Sequence, residues 1–121
     1  MGLTLNWIKC QGDVWCKLNA VNLDHQHFIS KQGVYLIWHG GSSPHVVYVG
    51  QGVIRDRIRA HRNDARVQQY SNSDLFVTWA TVEPHLRNGV EAYLASVWNP
   101  WVGVEHPNAP HVEVNPPWQD G

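Results

Sequence analysis

Gly33-Val34-Tyr35-Leu36-Ile37-Trp38, then His39-Gly40-Gly41-Ser42-Ser43-Pro44, then His45-Val46-Val47-Tyr48-Val49-Gly50 is the stretch on which the fold turns. Its two outer runs are rich in β-branched, aromatic and aliphatic residues, the composition of strands. The segment between them is a dense cluster of Gly, Ser and Pro, the composition of a turn. Two strands around such a turn make an antiparallel hairpin.

Downstream of the hairpin, Gly50-Gln51-Gly52 ends the second strand. Ile54 and Ile58 then repeat at helical spacing among basic residues, so a helix is expected from about Val53 to Val67. Leu75 to Val82 reads as a third strand, closed by Pro84. A second helix is expected from about Asn88 to Trp98, with Val90, Leu94 and Val97 as its buried stripe and Pro100 as its stop. The order strand, strand, helix, strand, helix predicts an α+β fold: a small, mainly antiparallel three-stranded sheet flanked by helices.

Upstream, residues 1–30 form a mixed segment with Trp7, Ile8, Val14, Trp15 and Leu18 as apolar anchors and a possible short helix near Val14 to Ala20. The tail, 104–121, carries four prolines and is expected to lie extended over the domain. The 121 residues thus fit one domain with its core at about 31–103.

With 43% apolar residues and seven Trp the chain can build a real core. The formal charge is -1, from nine Lys plus Arg against ten Asp plus Glu, which excludes a protein held on nucleic acid by broad electrostatics. An enzyme that grips a few phosphates is still allowed. Arg55, Arg57, Arg59, Arg62 and Arg66 crowd one stretch, either as a phosphate-binding face or as a solvated helix face. Cys10 and Cys16 match neither a zinc pair nor a secreted disulfide framework, so reduced thiols in a cytoplasmic protein are expected. No signal-peptide pattern and no membrane-spanning apolar run is present, so no membrane partner is expected.

Certain residues carry chemistry. Tyr35 and Tyr48 lie on paired strands and can converge on one face. A phenol is a poor base at its ordinary pKa of about 10, and a nearby cation or metal ion would make it a better one. The alternative is two ordinary strand tyrosines. Arg57 and His61 are four apart, so they share a helix face. The guanidinium fork suits a phosphate oxygen. Arg55 and Arg59 are further candidates for substrate contact. Glu91 is the single carboxylate of the second helix and could hold Mg²⁺ with waters and a phosphate. It is equally spaced from Asn88 for a helix capping box. The eight histidines are scattered, with His25 and His27 upstream and His106 and His111 in the tail, and do not form a closely spaced zinc set.

Gly33-Val34-Tyr35 before the turn, Tyr48-Val49-Gly50 after it, Arg57 and His61 on the helix, Glu91 on the next helix and Asn99-Pro100 at its end together resemble the GIY-YIG nuclease domain. The ordered set covers residues 33 to about 100. One departure stands out: Gln51-Gly52-Val53 is about one residue tighter than the family pattern. The resemblance selects Arg57 over its neighbours, because the family arginine stands four before the helix histidine. It implies a metal-dependent DNA endonuclease with Tyr35, Tyr48, Arg57, His61 and Glu91 as catalytic residues lining one cleft. Glu91 would hold Mg²⁺ or Mn²⁺, and Asn99 would steady the site or the phosphate. Asn99 at a helix end before proline also fits a plain cap. Specificity would come from the flanking segments or from a protein partner. A toxin nuclease with an immunity partner and a catalytically silent nucleic-acid-binding module are the alternatives.

Overall fold

The computed structural model describes residues 2–103 and 106–118. Four strands, β1 (Cys16–Lys17), β2 (Gln32–His39), β3 (His45–Val53) and β4 (Leu75–Thr81), form one antiparallel sheet in the order β1-β4-β2-β3. The architecture is α+β, with four strands where the sequence predicts three. The added strand is only two residues long, too short to show an alternating pattern, and exists because Cys16 and Lys17 find Val77 and Phe76.

Central β2 is buried from Gly33 to Trp38, so its side chains serve both faces of the sheet. On one face Tyr35, Ile37, Val47 and Val77 pack with Ile54 and Ile58 of α1 (Ile54–Arg62). On the other, Val34, Leu36, Trp38 and Val49 pack with Val90 and Leu94 of α3 (Arg87–Trp98). The two main helices therefore sandwich the sheet.

The expected helix from Val53 to Val67 is two helices. It breaks at Asn63, and α2 (Ala65–Gln68) restarts on Asp64, whose side chain accepts from the Arg66 N–H at 3.0 Å. That cap competes with continuation of the first helix. Strand β3 runs on through Gly50, Gln51 and Gly52 to Val53, paired with β2 throughout, so those residues extend the strand and do not terminate it. The tight junction before α1 follows: the helix starts on the residue after the strand ends.

No helix forms near Val14 to Ala20. Cys10 and Cys16 are joined in a disulfide with Cα atoms 5.1 Å apart, correcting the expectation of reduced thiols. An isolated bridge between Cys10 and Val14 turns the chain back and brings the two cysteines together. The N-terminal segment and the tail are zipped to each other: Leu3 bridges Val114, and the Asn115 side chain accepts from the Leu5 N–H and donates to the Leu5 carbonyl. Trp118 then packs on Trp15, Trp38 and Trp98. No helix among the described residues is long and apolar enough to cross a membrane.

Candidate functional site

Tyr35 and Tyr48 come to one face because of two backbone features. First, the β2–β3 register slips between Ile37 and Trp38, so that Ile37 faces Tyr48 while Trp38 faces Val46. A bulge of this kind re-aims a side chain. Second, Tyr35 lies opposite Gly50, and a Cβ there would stand 2.5 Å from the Tyr35 hydroxyl oxygen. The glycine of the second tripeptide is thus the seat of the first tripeptide's tyrosine. The two phenol rings stack, with centroids 6.0 Å apart and planes within 7°. Their exposures differ: Tyr35 is 1% exposed, whereas Tyr48 is half-buried and reaches water. Gly103, at φ +74°, lies against the outer side, where a Cβ would be 2.6 Å from the Tyr48 ring.

His61 arrives from α1. Ile54, Ile58 and His61 form that helix's buried stripe. At the last of these positions the sheet offers a hydroxyl in place of a methyl group: Tyr35 Oη and His61 Nε2 are 2.7 Å apart. The His61 ring also packs on Tyr48, with centroids 4.3 Å apart. Its Nδ1 faces the Asp64 carboxylate at 3.9 Å. The proton therefore belongs on Nδ1, toward the anion, and Nε2 accepts from the Tyr35 O–H.

Burial lowers the His61 pKa to about 4, with Asp64 opposing and Arg57 and Arg66 adding to the shift. The imidazole is neutral at neutral pH. Burial also raises the Tyr35 phenol well above its ordinary value; Tyr48 and Glu91 act in the same direction, and the opposing cation Arg57 is outweighed. A cation near Tyr35 thus does not produce the lowered phenol that the sequence suggested. Asp64 is held below the usual carboxylate range by hydrogen bonding from Arg66.

The exposed Arg57 folds back over β3, its Cγ and Cδ 3.5 Å from where a Gly52 Cβ would stand. The other arginines are placed differently. Arg59 lies toward Asp56 at 3.9 Å, and both are exposed. Arg55 is half-buried and its Nε has no partner. Arg62 is tied to the carbonyls of Leu18 and Val21 and holds the N-terminal segment. Among these residues Arg57 is the one whose charge acts on Tyr35 and His61.

Glu91 comes from α3, on the opposite face of the sheet, and stands at the rim formed by edge strand β3. It does not close a capping box: α3 has Leu86 as N-cap without a side-chain bond, and Asn88 lies inside the helix. The carboxylate is 7% exposed. Its Oε1 accepts from Gln51 Nε2 at 3.0 Å, and its Oε2 contacts His106 Nδ1 at 2.9 Å. Tyr35, Tyr48, His61 and Arg57 therefore share the α1 face. Glu91 hydrogen-bonds with none of them but stands on the other side of the rim, near enough for its charge to act on Tyr35.

Asn99 is not brought to this group. It takes the left-handed conformation (φ 46°) that caps α3, and its carbonyl faces His45 Nε2 at 3.1 Å. Eight residues beyond Glu91, it is about 12 Å farther along the helix axis. Two surface cavities, of about 580 and 540 Å³, also lie elsewhere: one among Trp15, Trp38, Trp98 and Trp118, the other beside the disulfide.

Gln51, Asp64 and His106 are site neighbours that sequence reasoning passed over as ligands or partners. Asp64 carried a signal, three residues after His61 on a helical stretch. His106 carried none, being fifteen residues from Glu91 on an irregular segment.

The donor chemistry fits a hydrated divalent ion. Each carboxylate oxygen engaged by Gln51 or His106 keeps a further lone pair, and Mg²⁺ is commonly held by one carboxylate plus waters. Among the described residues no group of three His, Cys, Asp or Glu could hold a metal. Comparison with known proteins finds no matching family model, no similar curated protein and no similar solved structure.

Proposed function

We propose that the chain is a GIY-YIG-like, metal-dependent DNA endonuclease that hydrolyses a phosphodiester at the β3 rim. The observation that carries this reading is the buried Tyr35–His61 hydrogen bond lying directly beneath the water-facing Tyr48. A neutral imidazole hydrogen-bonded inside an apolar core is a costly arrangement for packing alone, and here it lies beside a half-buried tyrosine and an exposed arginine.

Tyr48, the more accessible of the two phenols, meets the attacking water. Tyr48 gives its own proton to Tyr35 as it receives one, and Tyr35 shares its proton with Nε2 of His61. Burial leaves that nitrogen unprotonated at neutral pH but a weak base, so it relays the proton, which ends on the leaving 3′ oxygen or in bulk water. Arg57 binds the scissile phosphate and offsets the charge that develops on it. Glu91 would hold Mg²⁺ or Mn²⁺, which supplies charge stabilisation at the leaving 3′ oxygen. The α1 face at Gly50 and Gly52 is taken up by Tyr35 and Arg57, so the phosphate would lie at the outer edge of strand β3, between Arg57 and the Glu91 side.

Labelled single-stranded, duplex and branched DNA, each with and without Mg²⁺ or Mn²⁺, tests the reading. Cleavage that needs the ion and is lost in Tyr48→Phe and Arg57→Ala is expected. A folded wild-type chain that cuts none of these substrates would overturn it.

The disulfide favours a particular version, a nuclease exported to act outside the cell that made it, such as a toxin with an immunity partner. Disulfides persist in oxidising compartments and are rare in the cytoplasm. Free titration of both thiols in protein purified without reductant from an oxidising compartment would remove the basis for this version.

A further inference from the structure

The segment after α3 is a strap fixed at two points. At one, the Val102 N–H donates to the Val47 carbonyl at 2.8 Å. At the other, the Val112 N–H donates to the Gly89 carbonyl at 3.0 Å, and Gly89 has no room for a side chain: a Cβ would lie 2.6 Å from the Pro110 carbonyl oxygen. Among the described residues of this segment, His106 Nδ1 stands 2.9 Å from Glu91 Oε2. The His106 Nε2 is buried and has no partner. On the other carboxylate oxygen, Gln51 Nε2 donates at 3.0 Å and also reaches Asn88 Oδ1 at 2.9 Å, fixing the plane of the carboxylate.

We propose that Glu91 and His106 are joint ligands of one divalent ion, and that this carboxylate–imidazole pair makes the site prefer Mn²⁺ to Mg²⁺. The inference rests on the nuclease reading only in taking the ion to be the one that reading requires. Two donors each about 2.1 Å from an octahedral ion and at right angles to one another are about 3 Å apart. The Nδ1–Oε2 separation has that value. An ion that enters there displaces the proton the two atoms share, and the neutral imidazole then carries its own proton on Nε2, the nitrogen that has no partner in the protein. Imidazole nitrogen suits transition ions, whereas Mg²⁺ takes oxygen and holds its waters. Gln51 has the place of an outer partner that aims a ligating carboxylate. On its C-terminal side His106 is followed by the anchor of Val112 on Gly89, and the Glu91 contact itself fixes the imidazole.

The test is Mn²⁺ binding to the full chain without DNA, followed by electron paramagnetic resonance, with Mg²⁺ as competitor. Wild type is expected to bind one Mn²⁺, to show spin-echo modulation from an imidazole nitrogen, and to resist displacement by Mg²⁺. His106→Ala should lose the nitrogen signal and weaken Mn²⁺ binding about 10- to 100-fold. His106→Asp, which restores an oxygen donor on the same strap, should recover binding while losing the preference over Mg²⁺. No Mn²⁺ binding by wild type, or unchanged affinity and spectrum in His106→Ala, overturns the proposal. Binding through both side chains in a chain that never cuts DNA supports the ion site and sinks the nuclease reading, so the two fail separately.

Discussion

The two faces of the sheet are built from the same strands and do different work. The α3 face is apolar at its centre: Val34, Leu36, Trp38, Val49, Val90 and Leu94 pack there, with a Trp cluster at one end. The α1 face mixes aliphatic packing with a buried hydroxyl–imidazole pair. A buried polar pair holds geometry but adds little net stability, because desolvation offsets most of the hydrogen bond. Both faces carry core packing; on the proposed nuclease reading the α1 face also carries the tyrosines, His61 and Arg57, and the α3 face contributes Glu91 at the rim. Strand β3, with Gly50 and Gly52 facing α1 and Gln51 facing α3, is the rim across which the two are joined.

The sharpest way to break this division is Glu91→Gln. Glutamine can still accept from Gln51 and can keep a hydrogen bond to His106, so the melting temperature should stay close to wild type. Cleavage should fall by about 10³-fold or more, because a neutral amide replaces an anionic ligand. Wild-type cleavage by Glu91→Gln would make Glu91 a structural residue.

Trp38→Ala should do the reverse. A loss of about 3–5 kcal/mol is expected on denaturant unfolding, as for other large-to-small aromatic changes in a core. The surviving folded fraction should cut at close to the normal rate per molecule. A large drop in turnover with little loss of stability would put chemistry on the α3 face.

Gly50→Ala tests the rim. The added Cβ would meet the Tyr35 ring, with Cζ at 2.7 Å and Cε1 at 2.9 Å, on a side chain fixed by its bond to His61. Overpacking of about 1–3 kcal/mol is expected, together with loss of cleavage beyond what instability explains, since the phenol must move off the imidazole. Unchanged activity would mean that the Tyr35 position is not critical.

The pH dependence separates the faces again. His61 is lowered from 6.5 to about 4 in the fold. Between those values the unfolded chain binds the extra proton, so stability rises with pH across the window and is lost as pH falls through it. The slope from this group is at most about 1.4 kcal/mol per pH unit. His61→Gln should flatten that part of the curve; an unaltered curve would mean that the imidazole titrates normally in the fold.

The smallest effect concerns salt. With a formal charge of -1 and one arginine cluster, DNA affinity should fall with a log–log slope of about 2 to 4. A slope near 10 would require a broad basic surface that neither face presents.

Local pattern carried much of the molecule. The hairpin, the third strand and both main helices were legible because alternation, helical spacing and Gly or Pro punctuation are properties of adjacent residues. Local pattern alone leaves Tyr35, Tyr48, Arg57, His61 and Glu91 with ordinary structural alternatives, and it is the resemblance of their order to the GIY-YIG pattern that singles them out. The break at Asn63 was hidden, since Asp64 serves equally as a helix residue and as a cap. The two-residue β1 was hidden because it has no pattern of its own.

The sequence by itself determined the order of the hairpin, the third strand and the two main helices, the α+β class, and the glycines and tyrosines of the hairpin. Only the tertiary structure decided that α1 and α3 take opposite faces, that Tyr35 is sealed while Tyr48 meets water, that Cys10 and Cys16 are joined, and that His106 rather than Asn88 stands against Glu91 Oε2. Each of these outcomes depends on which side of the sheet a segment packs against, or on where a turn or strap is pinned. Such contacts join residues well separated along the chain, and the free energy that selects them comes from burial and desolvation in the finished fold, which leave no periodicity for the local sequence to show.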